Sequence, residues 1–392
     1  MKSVVIVSAA RTPVGAFLGK LSTVPATVLG STAIKEAIRR AGVSPQDVEQ
    51  VIMGNVLTAG EGQAPARQSA IGAGIPYSAG CLTVNKVCGS GLMAVALAYQ
   101  AIVLDDASLV VAGGMESMSN APYLLERART GYRMGHGEII DSMIKDGLWD
   151  VYNQIHMGNC AEMCARKYNF SREEQDAFSI KSYEKALRAQ KNGDFAKEIV
   201  PVEIPQKKGE NLMVNEDEEP SRADLKRIST LKPAFEKDGT VTAGNASKIN
   251  DGAAAVCVSS EEFAKKHNIK PLARIVAYAT HGEKPEWFTI APVGAIKKVL
   301  HKAGITLEDI DLFEINEAFA VVTMAAIKEL NIPEEKVNVN GGAVAIGHPI
   351  GASGARILTT LLYAMQSRNA RYGLATLCIG GGEAIAMIVE KI

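Results

Sequence analysis

Residues 33–48 read Ala33-Ile34-Lys35-Glu36-Ala37-Ile38-Arg39-Arg40-Ala41-Gly42-Val43-Ser44-Pro45-Gln46-Asp47-Val48. Residues 295–310 read Ala295-Ile296-Lys297-Lys298-Val299-Leu300-His301-Lys302-Ala303-Gly304-Ile305-Thr306-Leu307-Glu308-Asp309-Ile310. Both are amphipathic helices closed by glycine, Gly42 or Gly304, at the left-handed cap position. A Ser or Thr then starts an acidic turn. A strand with a polar end follows, Val51-Ile52-Met53-Gly54-Asn55 in one copy and Leu312-Phe313-Glu314-Ile315-Asn316-Glu317 in the other. The correspondence continues downstream. Cys88-Gly89-Ser90-Gly91 opens one apolar helix and Gly351-Ala352-Ser353-Gly354 another, and each helix leads to a strand with a glycine-rich end, 109–114 and 377–382. Alternating helices and strands predict an α/β fold. Two copies this far apart predict duplicated halves, not a solenoid.

Between the copies, over roughly residues 119–245, charge rises and Gly and Pro are scattered. Short helices are expected there, one of them opened by a capping box with Ser171 as N-cap and Glu174 at the third position. The segment reads as a large insertion of the kind that carries substrate contacts. Of the 392 residues, 47% are hydrophobic and 22% charged, which excludes a disordered chain. Lys and Arg number 42 against 43 Asp and Glu, so no bulk attraction to nucleic acid or an anionic membrane is expected. No apolar run approaches the ~20 residues that span a bilayer. The start, 1–7, reads as a short buried strand too brief for a signal peptide, so a cytoplasmic location is expected. Six cysteines in a chain this long do not make a disulfide framework.

Chemistry is concentrated at a few positions. Cys88 precedes a helix, and Gly89 and Gly91 permit a tight turn or close approach. Lowering a thiol pKa by ~2 units needs ~2.7 kcal/mol. A helix terminus supplies ~0.3–1 kcal/mol, at best ~2. The sequence therefore predicts an imidazole partner. His348, flanked by glycines at a strand-to-helix turn and followed by Pro349, is the best candidate. His136, His267, His281 and His301 read as solvated. The glycines around His348 do not follow a dinucleotide-binding or Walker order. Cys378 ends an apolar strand beside Gly380-Gly381-Gly382, whose amides could form an anion nest. A Cys there could pass a proton to or from carbon, with ordinary burial as the alternative. Asn316 could anchor a water or an oxyanion, or simply cap a helix. Cys160 and Cys164 lack the further ligands a metal would want, and Cys81 and Cys257 read as structural.

Four blocks together resemble the thiolase family: 85–91 around Cys88, Asn316-Glu317-Ala318-Phe319-Ala320, Gly347-His348-Pro349-Ile350-Gly351, and Cys378-Ile379-Gly380-Gly381-Gly382. The likeness runs nearly the full chain and is nearest to short-chain acetyl-CoA C-acetyltransferases. It implies a thiolase fold, with duplicated βαβαβαββ halves in a five-layered α/β/α/β/α core and an inserted lid. The expected divisions are 1–118 plus 246–270, 119–245, and 271–392. It implies that Cys88 is acylated, that His348 activates it, and that Cys378 is the acid/base at carbon. Asn316 would hold a water in one oxyanion hole with His348, and the amides of Cys88 and Gly380 would form the other. Leu148, His156, Met157, Arg222, Ala243, Ser247, Phe288, Ala318 and Phe319 would contact substrate or CoA.

The implied substrates are acetyl-CoA, acetoacetyl-CoA and CoA, with no tightly bound cofactor, no metal in the site, and a homotetramer as the assembly. In one departure, Trp287-Phe288-Thr289-Ile290-Ala291-Pro292 stands where many bacterial relatives carry Met-Gly-x-Gly-Pro. This resembles the mitochondrial acetoacetyl-CoA thiolase, which accepts a 2-methyl branch and is potassium-activated. Pro220 stands where that relative has Tyr, leaving potassium activation open. A decarboxylating ketoacyl synthase of the same fold is the competing enzyme class; Cys378 and the lack of a second well-placed His argue against it. A thiolase-like lipid-binding or scaffold protein is the non-enzymatic alternative; it could lose its reactive groups, whereas Cys88, His348 and Cys378 are all present.

Overall fold

The computed structural model describes residues 2–392. The first half contributes strands β1 (Val4–Arg11), β2 (Gln50–Gly54), β3 (Gly80–Val84), β4 (Leu109–Ser117) and β5 (Asn250–Ser260). The second contributes β6 (Ala273–Gly282), β7 (Leu312–Ile315), β8 (Tyr372–Ile379) and β9 (Glu383–Lys391). The strand order is β7-β8-β9-β6-β1-β5-β4-β2-β3, with the two-residue strand Gly15–Ala16 paired on β5.

The duplication is visible in the pairing. In the first half β1 runs antiparallel to β5, β5 antiparallel to β4, and β4 parallel to β2. In the second, β6 runs antiparallel to β9, β9 antiparallel to β8, and β8 parallel to β7. Even the register irregularities correspond, between Ile6 and Ser8 in β1 and between Ile275 and Ala277 in β6. The two half-sheets touch where Val5 and Ile6 pair with Arg274 and Ala273.

The helices that matter for the site are α1 (Ala26–Ala41), α2 (Ser90–Val103), α3 (Met157–Tyr168), α4 (Arg172–Asn192), α5 (Ala291–Ala303), α6 (Ala320–Leu330) and α7 (Ser353–Arg368). The quoted repeat forms α1 and α5, ended by Gly42 at φ 67° and Gly304 at φ 69°. Helix α1 covers the outer face of the first half-sheet with Leu29, Ala33 and Ile34 against Val5, Val7 and Val111. Helix α5 covers the second with Ile296 and Val299 against Phe313 and Ile388. Between the half-sheets lie α2 and α7, where Leu92, Val95, Ile357 and Leu361 join Ile6 and Val256 on one side and Leu377 and Met387 on the other. Alternation along β1 sends Ile6 inward and Val5 and Val7 outward, so one strand serves two cores. Burying each such Leu, Ile or Val stabilises the fold by roughly 1.5–3 kcal/mol.

The insertion differs from its expectation of short helices: α4, at 21 residues, is the longest helix among the described residues. Its buried stripe is made of small or polar side chains, including Ser179, Ser182, Ala186 and Ala189, so it lacks a conspicuous apolar pattern. The capping box at its start forms as expected, with Ser171 Oγ accepting from the Glu174 amide at 3.1 Å and Glu174 Oε2 accepting from the Ser171 amide at 2.7 Å. Among the described residues no helix is long and apolar enough to cross a membrane.

Helices α2 and α7 meet at two glycines. A Cβ on Gly91 would lie 2.7 Å from the Ala355 nitrogen, and one on Gly354 would lie 2.3 Å from the Leu92 nitrogen. Gly354→Ala should therefore lower stability by about 1–3 kcal/mol through overpacking. A denaturant midpoint equal to that of the unsubstituted protein would show that this crossing tolerates a methyl group.

Candidate active site

The crossing of α2 and α7 sets the two helix N-termini side by side. Cys88 lies two residues before α2 and His348 five residues before α7. Both line one cavity of about 260 Å³. The turn before Cys88 departs from its expected form. Gly89 has φ −80°, and the left-handed position is taken by Val87 at φ 45°, where a β-branched residue is strained. Gly89 is required for space instead, because its Cβ would lie 2.4 Å from Ile379 Cδ1. On the other side, Gly347 precedes His348 at φ 116°, packed on the Asn250 side chain. Each candidate catalytic residue thus follows a left-handed residue that swings it back toward the helix crossing.

Hydrogen bonding fixes the tautomer of His348. Ser353 Oγ donates its one hydrogen to the Pro349 carbonyl at 2.8 Å. It must then accept from His348 Nδ1, 2.5 Å away. The proton is on Nδ1, and Nε2 keeps its lone pair, 3.5 Å from Asn316 Nδ2. The His348 loop is tied to the first half of the chain at two points. The His348 amide donates to Asn250 Oδ1 at 2.8 Å, and the Gly351 amide to Glu116 Oε2 at 2.8 Å. Glu116 also accepts from Asn55 Nδ2 and from the Val56 and Leu57 amides. Ser353, Asn250 and Glu116 were not singled out from the sequence. Ser353 alone left a signal, the second helix-opening glycine motif.

Asn316 does not cap a helix: α6 begins at Ala320 with Phe319 at its N-cap. Its carboxamide is fully buried and Oδ1 has no protein partner. Cys378 is buried directly behind the site, close enough to Cys88 that each thiolate would disfavour the other. Of the glycine triplet, Gly381 and Gly382 take φ 90° and 91°. The Gly380 amide hydrogen-bonds the Cys88 sulfur, as does the amide of Cys88 itself. These two amides come one from each half of the chain.

Burial sets the protonation states. It pushes the Cys88 thiol up to about 11, only partly opposed by the two amides and reinforced by the charge of Glu116. It pulls the His348 imidazole down to about 3, helped by Arg356. The helix terminus does not win over burial, and the resting pair is a neutral thiol and a neutral imidazole. The site can therefore move a proton from sulfur to Nε2 as attack occurs, with amide donors already placed at the reacting sulfur.

The remaining walls come partly from the insertion and partly from the two core halves. Leu148, His156, Met157, Ser247, Phe288, Ala318 and Phe319 all line the cavity, and Phe235, which the sequence did not single out, completes the apolar side. His156 Nδ1 accepts from the Gly158 amide at 3.1 Å, and its ring stacks on Phe235 at 4.8 Å. A second histidine therefore does stand in the cavity, contrary to the sequence argument that none is well placed. Arg222 and Ala243 lie outside the lining. Arg222 is exposed at the end of the short, largely buried helix Glu218–Arg222, and Ala243 faces outward. His281, expected to be solvated, is half-buried against Gly294 of α5 and pairs with Glu283 at 2.9 Å.

Residues 4–262 match the thiolase N-terminal domain and residues 269–391 the thiolase C-terminal domain. The chain belongs to the thiolase family. It is 53% identical over 392 residues, all of both chains, to proteins described as probable acetyl-CoA acyltransferase from Staphylococcus aureus strains COL and MSSA476. The crystal structure of Acat5 thiolase from Ascaris suum in complex with coenzyme A superposes with a TM-score of 0.95 at 45% identity, over all of both chains. The chain is thus an acyltransferase of thiolase fold, and the expected resemblance holds over its whole length.

With Cys88 resting as a neutral thiol, its alkylation by iodoacetamide should accelerate about tenfold per pH unit from pH 7 toward 10. Peptide mass spectrometry resolves this position. A plateau reached below pH 8 would mean a preformed thiolate–imidazolium pair.

Proposed function

We propose that this thiolase is an acetyl-CoA C-acetyltransferase, joining two acetyl-CoA molecules into acetoacetyl-CoA and CoA and catalysing the reverse thiolysis. The observation that carries the reading is the meeting of Cys88, His348 and the Gly380 amide at one small cavity, with Cys378 directly behind it. In the first half-reaction the Cys88 sulfur attacks the thioester carbonyl as its proton passes to His348 Nε2. The carbonyl oxygen becomes an oxyanion held by the amides of Cys88 and Gly380. CoA then leaves as a thiolate and takes the thiol proton of Cys378, so that Cys378 is left as the thiolate and His348 keeps the proton from Cys88. In the second, the Cys378 thiolate removes a proton from the methyl carbon of a second acetyl-CoA. The enolate oxygen is held by protonated His348 Nε2 and by a water on Asn316, whose buried carboxamide oxygen has no protein partner. The carbanion attacks acetyl-Cys88, and the Cys88 sulfur leaves and takes its proton back from His348 Nε2. Splitting the transfer through a covalent acyl-Cys88 replaces one hard step with two easier ones.

Short acyl groups are favoured by Met157, Phe235, Phe288 and Phe319, which crowd the cavity. Leu148, His156, Ser247 and Ala318 complete the proposed channel for the pantetheine arm. Arg222, exposed on the insertion, is a proposed contact for the CoA phosphates. A homotetramer in the cytoplasm is the proposed setting. Its support is the exposed apolar side chains of 123–152, among them Tyr123, Met134 and Ile139, and the free outer edge of β3 with Leu82 exposed.

Incubation with acetyl-CoA should add one acetyl group, on Cys88, by mass spectrometry. Cys88→Ser should abolish both adduct and turnover. Cys378→Ala should still acetylate while condensation falls by about 10²-fold or more. Normal condensation by that variant would place the second base elsewhere, and absence of any adduct on the unsubstituted protein would favour a scaffold. Turnover of 2-methylacetoacetyl-CoA comparable to that of acetoacetyl-CoA would identify a branched-substrate enzyme; negligible turnover would end that idea.

A further inference from the structure

Lys248 sits in the wall of the cavity but does not point its charge at a carboxylate. Its Nζ donates to three backbone carbonyls: Ala243 at 2.7 Å, Ala246 at 2.9 Å and Val344 at 3.3 Å. An ammonium has three hydrogens, and these three acceptors use them all. The Tyr183 ring lies 5.6 Å from Nζ, and Glu219 and Glu317 attract the charge from further off. Burial lowers the ammonium to about 8, opposed by those two carboxylates, so the charge persists at neutral pH.

The three carbonyls belong to two separate segments. Ala243 and Ala246 lie on the stretch whose residues 246–249 line the cavity. Val344 lies in the short helix Ala343–Ile346 that leads through Gly347 to His348. Converging carbonyl dipoles repel one another unless a cation sits among them. A compact monovalent cation stripped of water is held by such carbonyl cages. We propose that the Lys248 ammonium is a built-in monovalent cation, fastening the cavity-lining segment 243–249 to the His348 loop, so that the enzyme needs no free metal ion there. Lys248 is a positioning residue in this proposal: it acts on His348 and on the channel wall through the backbone. The role deepens the acyltransferase reading given above and rests on it only for its kinetic effect.

The test is chemical rescue. Lys248→Ala and Lys248→Met would be compared with the unsubstituted protein in tetramethylammonium, lithium, potassium and ammonium chlorides at equal ionic strength. The unsubstituted protein should melt and turn over alike in all four. The variants should lose about tenfold or more in kcat in tetramethylammonium chloride, as expected for a misplaced catalytic loop. Potassium and ammonium should restore kcat and raise the melting temperature, with lithium much less effective, because the vacated cage then binds the ion in the folded state only.

Salt-independent melting and turnover in both variants would overturn the proposal. So would a raised KM for CoA with unchanged kcat and no ion selectivity, which would make Lys248 a direct contact for the anionic substrate. An independent measurement uses the unsubstituted protein alone. A short pulse of an amine-acetylating reagent should label Lys248 far more slowly than the exposed Lys232, and equal labelling would mean the ammonium is not caged. Melting and labelling do not require turnover, so they separate failure of this proposal from failure of the activity assignment.

Discussion

Everything at the site depends on one close approach, the crossing of α2 and α7 at Gly91 and Gly354. The contact is reciprocal: each glycine meets the backbone of the residue that follows its counterpart, Ala355 or Leu92. Duplicated halves related in this way must bring equivalent points together. The equivalent points are helix N-termini, and the segments entering them carry Cys88 and His348. Two residues 260 positions apart in the chain are thereby delivered to one cavity. Side chains at these glycines would hold the helices apart and separate sulfur from imidazole.

The loops are then pinned by buried polar groups. Glu116 and Asn250 come from the strands β4 and β5 of the first half, and both hold the His348 loop of the second. Glu317 does the corresponding work nearby, accepting from Ser182, Asn338 and the Val344 amide. Such groups are costly to bury without partners and specific when every bond is made. Their fixed positions keep the cavity walls in place around buried groups. Burial has its own consequence, since it raises the Cys88 thiol and lowers the His348 imidazole. The pair is neutral at rest, and in the proposed reaction its polarity appears only as charge develops on the substrate, where fixed amides are most effective.

The architecture was legible in the residues because it is repeated and local. The Gly42 and Gly304 caps, the capping box at Ser171 and the strand-helix alternation all arise from neighbours in sequence, and each formed as expected. The cysteine and histidine that meet at the cavity, Cys88 and His348, were legible too, because such residues among glycines have little structural reason to be there. The reading failed where a role depends on what comes close in space. Gly89 was credited with a tight turn and with close approach; it makes the close approach, to Ile379, while Val87 bears the strained conformation. Asn316 could have been a helix cap until α6 was seen to start four residues later.

The sequence by itself therefore determined the duplicated α/β plan, the order of its elements and the candidate residues that meet at the cavity, because periodicity, caps and rare side chains are properties of short stretches. Only the tertiary structure decided the protonation state of Cys88 and His348, the tautomer set by Ser353, and the carbonyl partners of Lys248. Each of these is fixed by burial and by contacts between segments from different parts of the chain, and no local pattern of residues encodes how closely such segments approach.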